Sequence, residues 1–298
     1  MSIFSHFRAP VIAAVFGAIT VCSFYSVHSS AQTAQPTPRK AFPVQTTPFD
    51  LELTDVGVVK EIVKSDTVRL ESGKTYKLDN IRVPLQLDRD VISFLEKKLI
   101  GKKLGFYIVG TDPVARADSV GHILAHAVMQ DGDWVQAAMV AKGLAWVSGS
   151  AKSRDLVLPL YKHEDLARTQ NLGLWKNPDL AVKNNDTIMG NTRNSFQVYE
   201  GTIVSLSTKG DYAFYNFDKN PKTDFTVIVN MKKTPPFFID GRRTHVIPKF
   251  NGMRVRVRGW VEEKDGPMME LTYQEQIEFL DPVIGTISYA PRDSIDGT

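Results

Sequence analysis

Asp118–Val147 reads DSVGHILAHAVMQDGDWVQAAMVAKGLAWV. The pattern changes twice within this stretch. His122–Met129 reads as a strand. Asp133–Ala141 follows as a helix, which Gly143 ends.

Outward from this stretch the same alternation continues. Upstream, Val58–Leu70 and Thr75–Val83 read as strands, broken by the turn Glu71-Ser72-Gly73-Lys74. Asp88–Ile100 places Val91, Ile92, Leu95 and Leu99 on one helical face, and Gly101 stops it. Lys103–Val109 is a further strand. Downstream, Leu156–Gln170 reads as a helix despite Pro159 near its start. The order predicts an antiparallel barrel with segregated helices, an α+β unit. Trp134, Trp146 and Trp175 are expected to pack in its core.

Asn177–Ser195 is polar and turn-rich and reads as a linker. A second unit, almost all β, follows with strands at Phe196–Leu206, Tyr212–Phe217, Phe225–Val229, Met253–Val261, Met268–Tyr273 and Gln276–Leu280. Its long connection, Lys232–Gly252, precedes Met253. Short strands with one long insert suit a second, small OB-type β-barrel.

The chain has 298 residues, 43% of them hydrophobic and 23% charged, enough for two ordinary globular domains. Residues 1–31 carry Arg8, an apolar run from Ala9 to Phe24 and the small residues Ser29-Ser30-Ala31, the layout of a cleaved secretory signal. The resulting boundaries are 1–31 signal peptide, 32–50 flexible stem, 51–180 first domain, 181–195 linker, 196–283 second domain and 284–298 tail. Export to the periplasm or beyond is expected, with no stable membrane span after cleavage. Cys22, the one cysteine, leaves with the signal, which excludes disulfides and cysteine–metal sites from the mature chain. The net charge of +3 is misleading. Residues 50–180 carry 18 Lys or Arg against 18 Asp or Glu, residues 181–298 carry 15 against 15, and the excess is Arg8, Arg39 and Lys40. Any nucleic-acid contact must therefore come from local patches.

From Val59 to Trp175 the chain resembles the staphylococcal (micrococcal) nuclease family. The resemblance is carried by VVKEIVKSDTVRL, TYKLDNIRVPLQ, the Asp118–Val147 stretch and NLGLW at Asn171–Trp175, in family order. The phrases NFDKNPKTDFTVIV and RVRVRGWVEEKDGPMMEL resemble the OB-like domain that follows nuclease-like domains in some bacterial secreted proteins. The resemblance implies a nuclease-type OB barrel with about three helices, and it also maps the family's chemistry. Asp66, in Lys64-Ser65-Asp66-Thr67, keeps one calcium-ligand carboxylate. Arg82 stands where the second aspartate ligand belongs, and a cation about 5 Å from a dication costs on the order of several kcal/mol at an effective dielectric near 20. Leu85 stands where a glutamate would act as general base, a role worth about 10²–10⁴ in rate. Lys77 and His122 replace two phosphate-clamping arginines, losing the bidentate fork and, for a neutral imidazole, the charge. Asp88 and Asp90 read as first-turn acids of the helix.

The expectation is therefore an exported, non-catalytic nuclease-like protein that binds nucleic acid or another polyanion and needs no cofactor. Its candidate binding residues are Lys77 and Arg82 in the first domain and Arg254, Arg256 and Arg258 on one face of a strand in the second. Lys232, Lys233, Arg242 and Arg243 add charge nearby, and Tyr212, Phe214 and Tyr215 offer stacking rings. Two alternatives stay open. One is a calcium-dependent endonuclease using Asp66. The other is an envelope module with a protein partner. The competing reading makes Arg82 structural, paired with Asp66 or Asp79, and pairs the second-domain arginines with Glu262, Glu263 and Glu270. His122 and His126 share a strand face and are weighed as a metal pair against a plain half-exposed face.

Overall fold

The structure is a computed structural model. It describes residues 51–109, 117–149, 154, 156–184, 194–220, 225–234, 237–239, 242–244, 251–263, 266–282 and 287–289. The signal segment, the stem, most of the linker and nearly all of the tail lie outside the described residues. All the described ones fall in one unit, residues 42–298.

The first domain is a closed barrel of five strands in the order β1-β2-β3-β6-β5. These are β1 (Leu53–Lys64), β2 (Thr67–Leu70), β3 (Thr75–Leu78), β5 (Lys103–Tyr107) and β6 (Ile123–Met129), with β4 (Ile81–Arg82) outside the ring. β1 pairs with both β2 and β5 and shifts register at Leu53/Asp55, Val59/Glu61 and Ile62/Lys64. Such bulges bend a strand enough to close a barrel. The Leu70 side chain packs onto Gly57, where a Cβ would lie 2.5 Å from Leu70 Cδ1. Tyr76 stacks on Phe106 at 4.1 Å inside the barrel, among Val68, Leu70, Leu78 and Leu104.

Three helices pack outside, α1 (Asp88–Leu99), α2 (Val135–Ala141) and α3 (Val157–Thr169). α1 buries Val91, Leu95 and Leu99, with Asp88 and Asp90 in its first turn and Lys97 and Lys98 in its last, each charge favouring the helix dipole. The three tryptophans are buried as expected. Gly143 (φ +65°) and Gly173 (φ +52°) face one another, and Leu174 N donates to Gly143 O at 2.8 Å. A Cβ on Gly143 would meet the Leu172 oxygen at 2.2 Å, and one on Gly173 would meet Gly143 O at 2.2 Å. The Gly-Leu-Ala end of α2 and the Asn-Leu-Gly-Leu-Trp stretch are thus two halves of one contact. Short β7 (Trp146–Val147) then pairs with β4.

The second domain is a seven-stranded sheet. Its strands are β8 (Ser195–Thr202), β9 (Ser205–Lys209), β10 (Tyr212–Asn216), β11 (Thr226–Asn230), β14 (Arg254–Glu263), β15 (Pro267–Leu271) and β16 (Ile277–Phe279). The path runs β16-β14-β15-β11-β10-β9, with β8 on β14. Only residues 203 and 204 separate β8 from β9, and with β8 on β14 and β9 on β10 the two strands link both ends of this path. The predicted strand Phe196–Leu206 is two strands, β8 and β9. The long connection carries β12 (Phe237–Ile239) and β13 (Arg242–Thr244), which form a small sheet with β17 (Ile287–Tyr289). Tyr199, Phe225, Val227, Val255, Val257 and Met269 form the core. Tyr273 belongs instead to the core of the first domain, so the two domains share buried surface.

Candidate functional site

The turn between β1 and β2 holds Asp66, and β3 holds Lys77 opposite Thr67. Asp66 Oδ1 accepts from Thr67 Oγ1 at 2.7 Å, and Oδ2 lies 3.6 Å from Lys77 Nζ. His122 Nδ1 lies 3.2 Å from Asp118 Oδ2. Asp118 also accepts from the Val120 and His122 N–H groups, which ties off the Gly121 turn. Burial pushes the Asp118 carboxyl up, but those two N–H donors and the charges of His122 and Lys77 outweigh it and leave it below its ordinary value. The structure therefore does gather Asp66, Lys77 and His122. It gathers them as acid–base pairs, so a phosphate approaching Lys77 also meets two carboxylates. His126 is fully buried, edge-on to Trp134 at 5.6 Å, whereas His122 belongs to the Asp118 turn.

This donor set does not fit calcium. Asp66 is engaged by Lys77 and Thr67, and the ion wants about six to eight oxygens. Among the described residues no group of three His, Cys, Asp or Glu side chains converges as a metal site. Leu85 follows Pro84 in a single 3-10 turn, Leu85–Leu87, and is 88% exposed. No carboxylate takes its place in that turn.

Arg82 goes elsewhere. It forms no ion pair with Asp66, although the two charges feel one another. Its guanidinium carbon lies 4.9 Å from the ring centre of Trp260 and 5.7 Å from that of Phe196, both in the second domain. Burial pulls its pKa down from the ordinary value, while the charge of Asp66 opposes this. Among the described residues the guanidinium meets no hydrogen-bond acceptor, and its Nε is buried. It opens onto an interdomain crevice of about 520 Å³. Trp146, Lys183, Gln197 and Trp260 line this crevice with Leu85.

The second-domain arginines do share one face of β14, but that face is covered. Arg256 and Arg258 are 5% and 0% exposed. Arg258 Nη1 donates to Glu164 Oε2 at 2.7 Å and Nη2 to Glu278 Oε1 at 2.5 Å, and the guanidinium lies over Tyr161 at 4.1 Å. Arg256 Nε donates to Glu200 at 2.6 Å and Nη1 to Glu278 at 3.2 Å. Glu200 and Glu278 stand directly across from Arg256 on β8 and β16, and Glu164 comes from α3. The partners are these acids rather than Glu262, Glu263 or Glu270. An outward strand face stays exposed only if nothing packs on it, and here α3 packs on it. Both guanidinium forks are spent on carboxylates and are closed to a polyanion. Arg254 remains exposed, with Asp281 at 3.1 Å. Lys232 pairs with Asp211 at 2.9 Å, Tyr215 is core, and Tyr212 is 41% exposed. The side chains of Arg242 and Arg243 lie outside the described residues.

Trp260 is the residue that sequence reasoning passed over. The period of two that aligned Arg254, Arg256 and Arg258 also puts Trp260 on that face. One strand thus clamps the two domains with its arginines and lines the crevice with its tryptophan.

No curated protein matches the chain. Residues 89–177 match the family model described as staphylococcal nuclease homologue. Asp66, Lys77, Arg82 and Leu85 precede the matched segment, and His122 lies inside it. With a five-stranded barrel, three helices and this match, the chain carries a domain of the staphylococcal nuclease homologue family.

Proposed function

We propose that this chain is an exported binding protein that holds nucleic acid or another polyanion without cutting it. A domain of the nuclease family suggests nucleic-acid binding. One observation carries the loss of catalysis. The residue at the second metal-ligand position, Arg82, is a cation that leans away onto Trp260, leaving Asp66 to Lys77. With Leu85 at the base position, the Leu85–Leu87 turn offers no carboxylate to deprotonate a water. The boundaries read from the sequence, with a cleaved signal at 1–31, belong to the same proposal, as does a periplasmic or extracellular location.

The test incubates the full chain with single- and double-stranded DNA and RNA, in calcium, magnesium or chelator, with binding measured in parallel. Binding without cleavage, weakened steeply by salt, is expected. Calcium-dependent turnover abolished by Asp66→Ala would establish an endonuclease instead. No binding even at low salt would point to an envelope module with a protein partner.

A further inference from the structure

We infer that the crevice between the two domains takes one nucleotide of a single strand, with its base against Trp260 and its phosphate on Arg82. This rests on the nucleic-acid reading above and says where and how the strand is held.

The crevice presents unmatched groups of both polarities. Arg82 offers a guanidinium without an acceptor among the described residues, its Nε already desolvated. Lys183 is 6% exposed and spends one ammonium N–H on the Pro178 carbonyl at 2.6 Å. Among the described residues Asp179 is the one carboxylate of the lining, against the two cations. Gln197 supplies the opposite need. It is 5% exposed, its Nε2 donates to Ser195 Oγ at 2.9 Å, and its Oε1 is a buried acceptor with no hydrogen-bond partner. Buried polar groups left unmatched are costly, so a ligand that matches them gains on both sides. An inorganic anion would satisfy Arg82 and leave Gln197 Oε1 bare. An apolar ligand would satisfy neither. A nucleotide carries an acceptor-rich phosphate and a planar base with N–H donors.

Shape agrees with this chemistry. About 520 Å³ is within the usual range for small-ligand sites. Trp260 is 49% exposed despite its size, and Leu85 is 88% exposed beside it. Their exposed surfaces give a base an apolar platform at the mouth. A base held in a duplex stack cannot enter without being extruded, which selects single strands. Lys77 and His122 take no part, because each already has a carboxylate partner, Asp66 and Asp118.

The experiment titrates the full chain with fluorescently labelled dT12, the dA12·dT12 duplex and inorganic polyphosphate, reading anisotropy and tryptophan quenching. Arg82→Gln and Trp260→Leu are each expected to weaken dT12 binding about tenfold or more. Lys97→Gln, on α1 and outside the crevice, should leave it unchanged, and the duplex should bind more weakly than dT12. Gln197→Met, which keeps the volume and removes the acceptor, should weaken dT12 without affecting polyphosphate. Thermal melts of each variant separate lost binding from lost folding, and Trp260→Phe keeps a ring while removing the quenched indole. If dT12 binds but Arg82→Gln and Trp260→Leu bind it as wild type does, the crevice assignment is overturned and the nucleic-acid reading stands. If polyphosphate equals dT12 and Trp260→Leu is silent, the crevice is an anion site only and the nucleotide is refuted. If wild type binds no nucleic acid at low salt, the nucleic-acid reading itself fails.

Discussion

Replacing Arg258 by methionine should separate the two domains energetically while leaving each core intact. Arg258 is fully buried and joins Glu164 on α3 to Glu278 on β16. Methionine fills much of the same space but leaves Glu164, itself 1% exposed, without its cation. Glu164 would then keep one strong donor, the Val147 N–H at 2.8 Å. Breaking a buried pair from one side costs about 3–5 kcal/mol. The loss should depend on pH. In the wild type, burial raises the Glu164 carboxyl and the Arg258 charge pulls against it. Without Arg258 the raising effect of burial is opposed only by the Val147 N–H. A folded pKa above the unfolded value means the native state binds the extra proton, so stability falls as pH rises from the ordinary carboxylate value through the raised one. The variant should therefore be more compromised near about pH 8 than near about pH 5, where Glu164 is protonated and tolerates burial. Urea unfolding at both pH values measures this. Glu164→Gln in the Arg258→Met background should recover part of the loss, as a double-mutant cycle reads it. A cost below about 1 kcal/mol, or one that is equal at the two pH values, would refute the claim that this pair is a buried, ionised clamp.

Gly173→Ala should destabilise the first domain by about 2–4 kcal/mol, from a left-handed backbone plus overpacking against Gly143 O. Gly73→Ala, also at positive φ (86°) but with open space around its Cβ position, should cost only about 1–2 kcal/mol, and urea midpoints compare them directly. Arg82→Asp should gain calcium affinity about tenfold or more over wild type by calorimetry, since it replaces repulsion with a ligand beside Asp66. No gain would mean that the Asp66 turn is closed by Lys77 and not by Arg82.

Most of the first domain was legible because its signals are local. The run into Gly101, the helix stop at Gly143 and the acids opening α1 each act over a few residues, and each stands where expected. That Arg82 and Leu85 bring no carboxylate was legible for the same reason, since a side chain without one cannot supply it in any fold. The alternation of Arg254, Arg256 and Arg258 correctly put them on one face. What covers a face is not local. Only the packing of α3 against β14 decides that Arg256 and Arg258 are buried clamps, while Trp260 on the same face stays half open. The direction of Arg82 is likewise a tertiary matter. Asp66 lies close enough to attract it, yet two rings from beyond position 195 claim the guanidinium, and the crevice exists because these distant segments meet without filling the space between them.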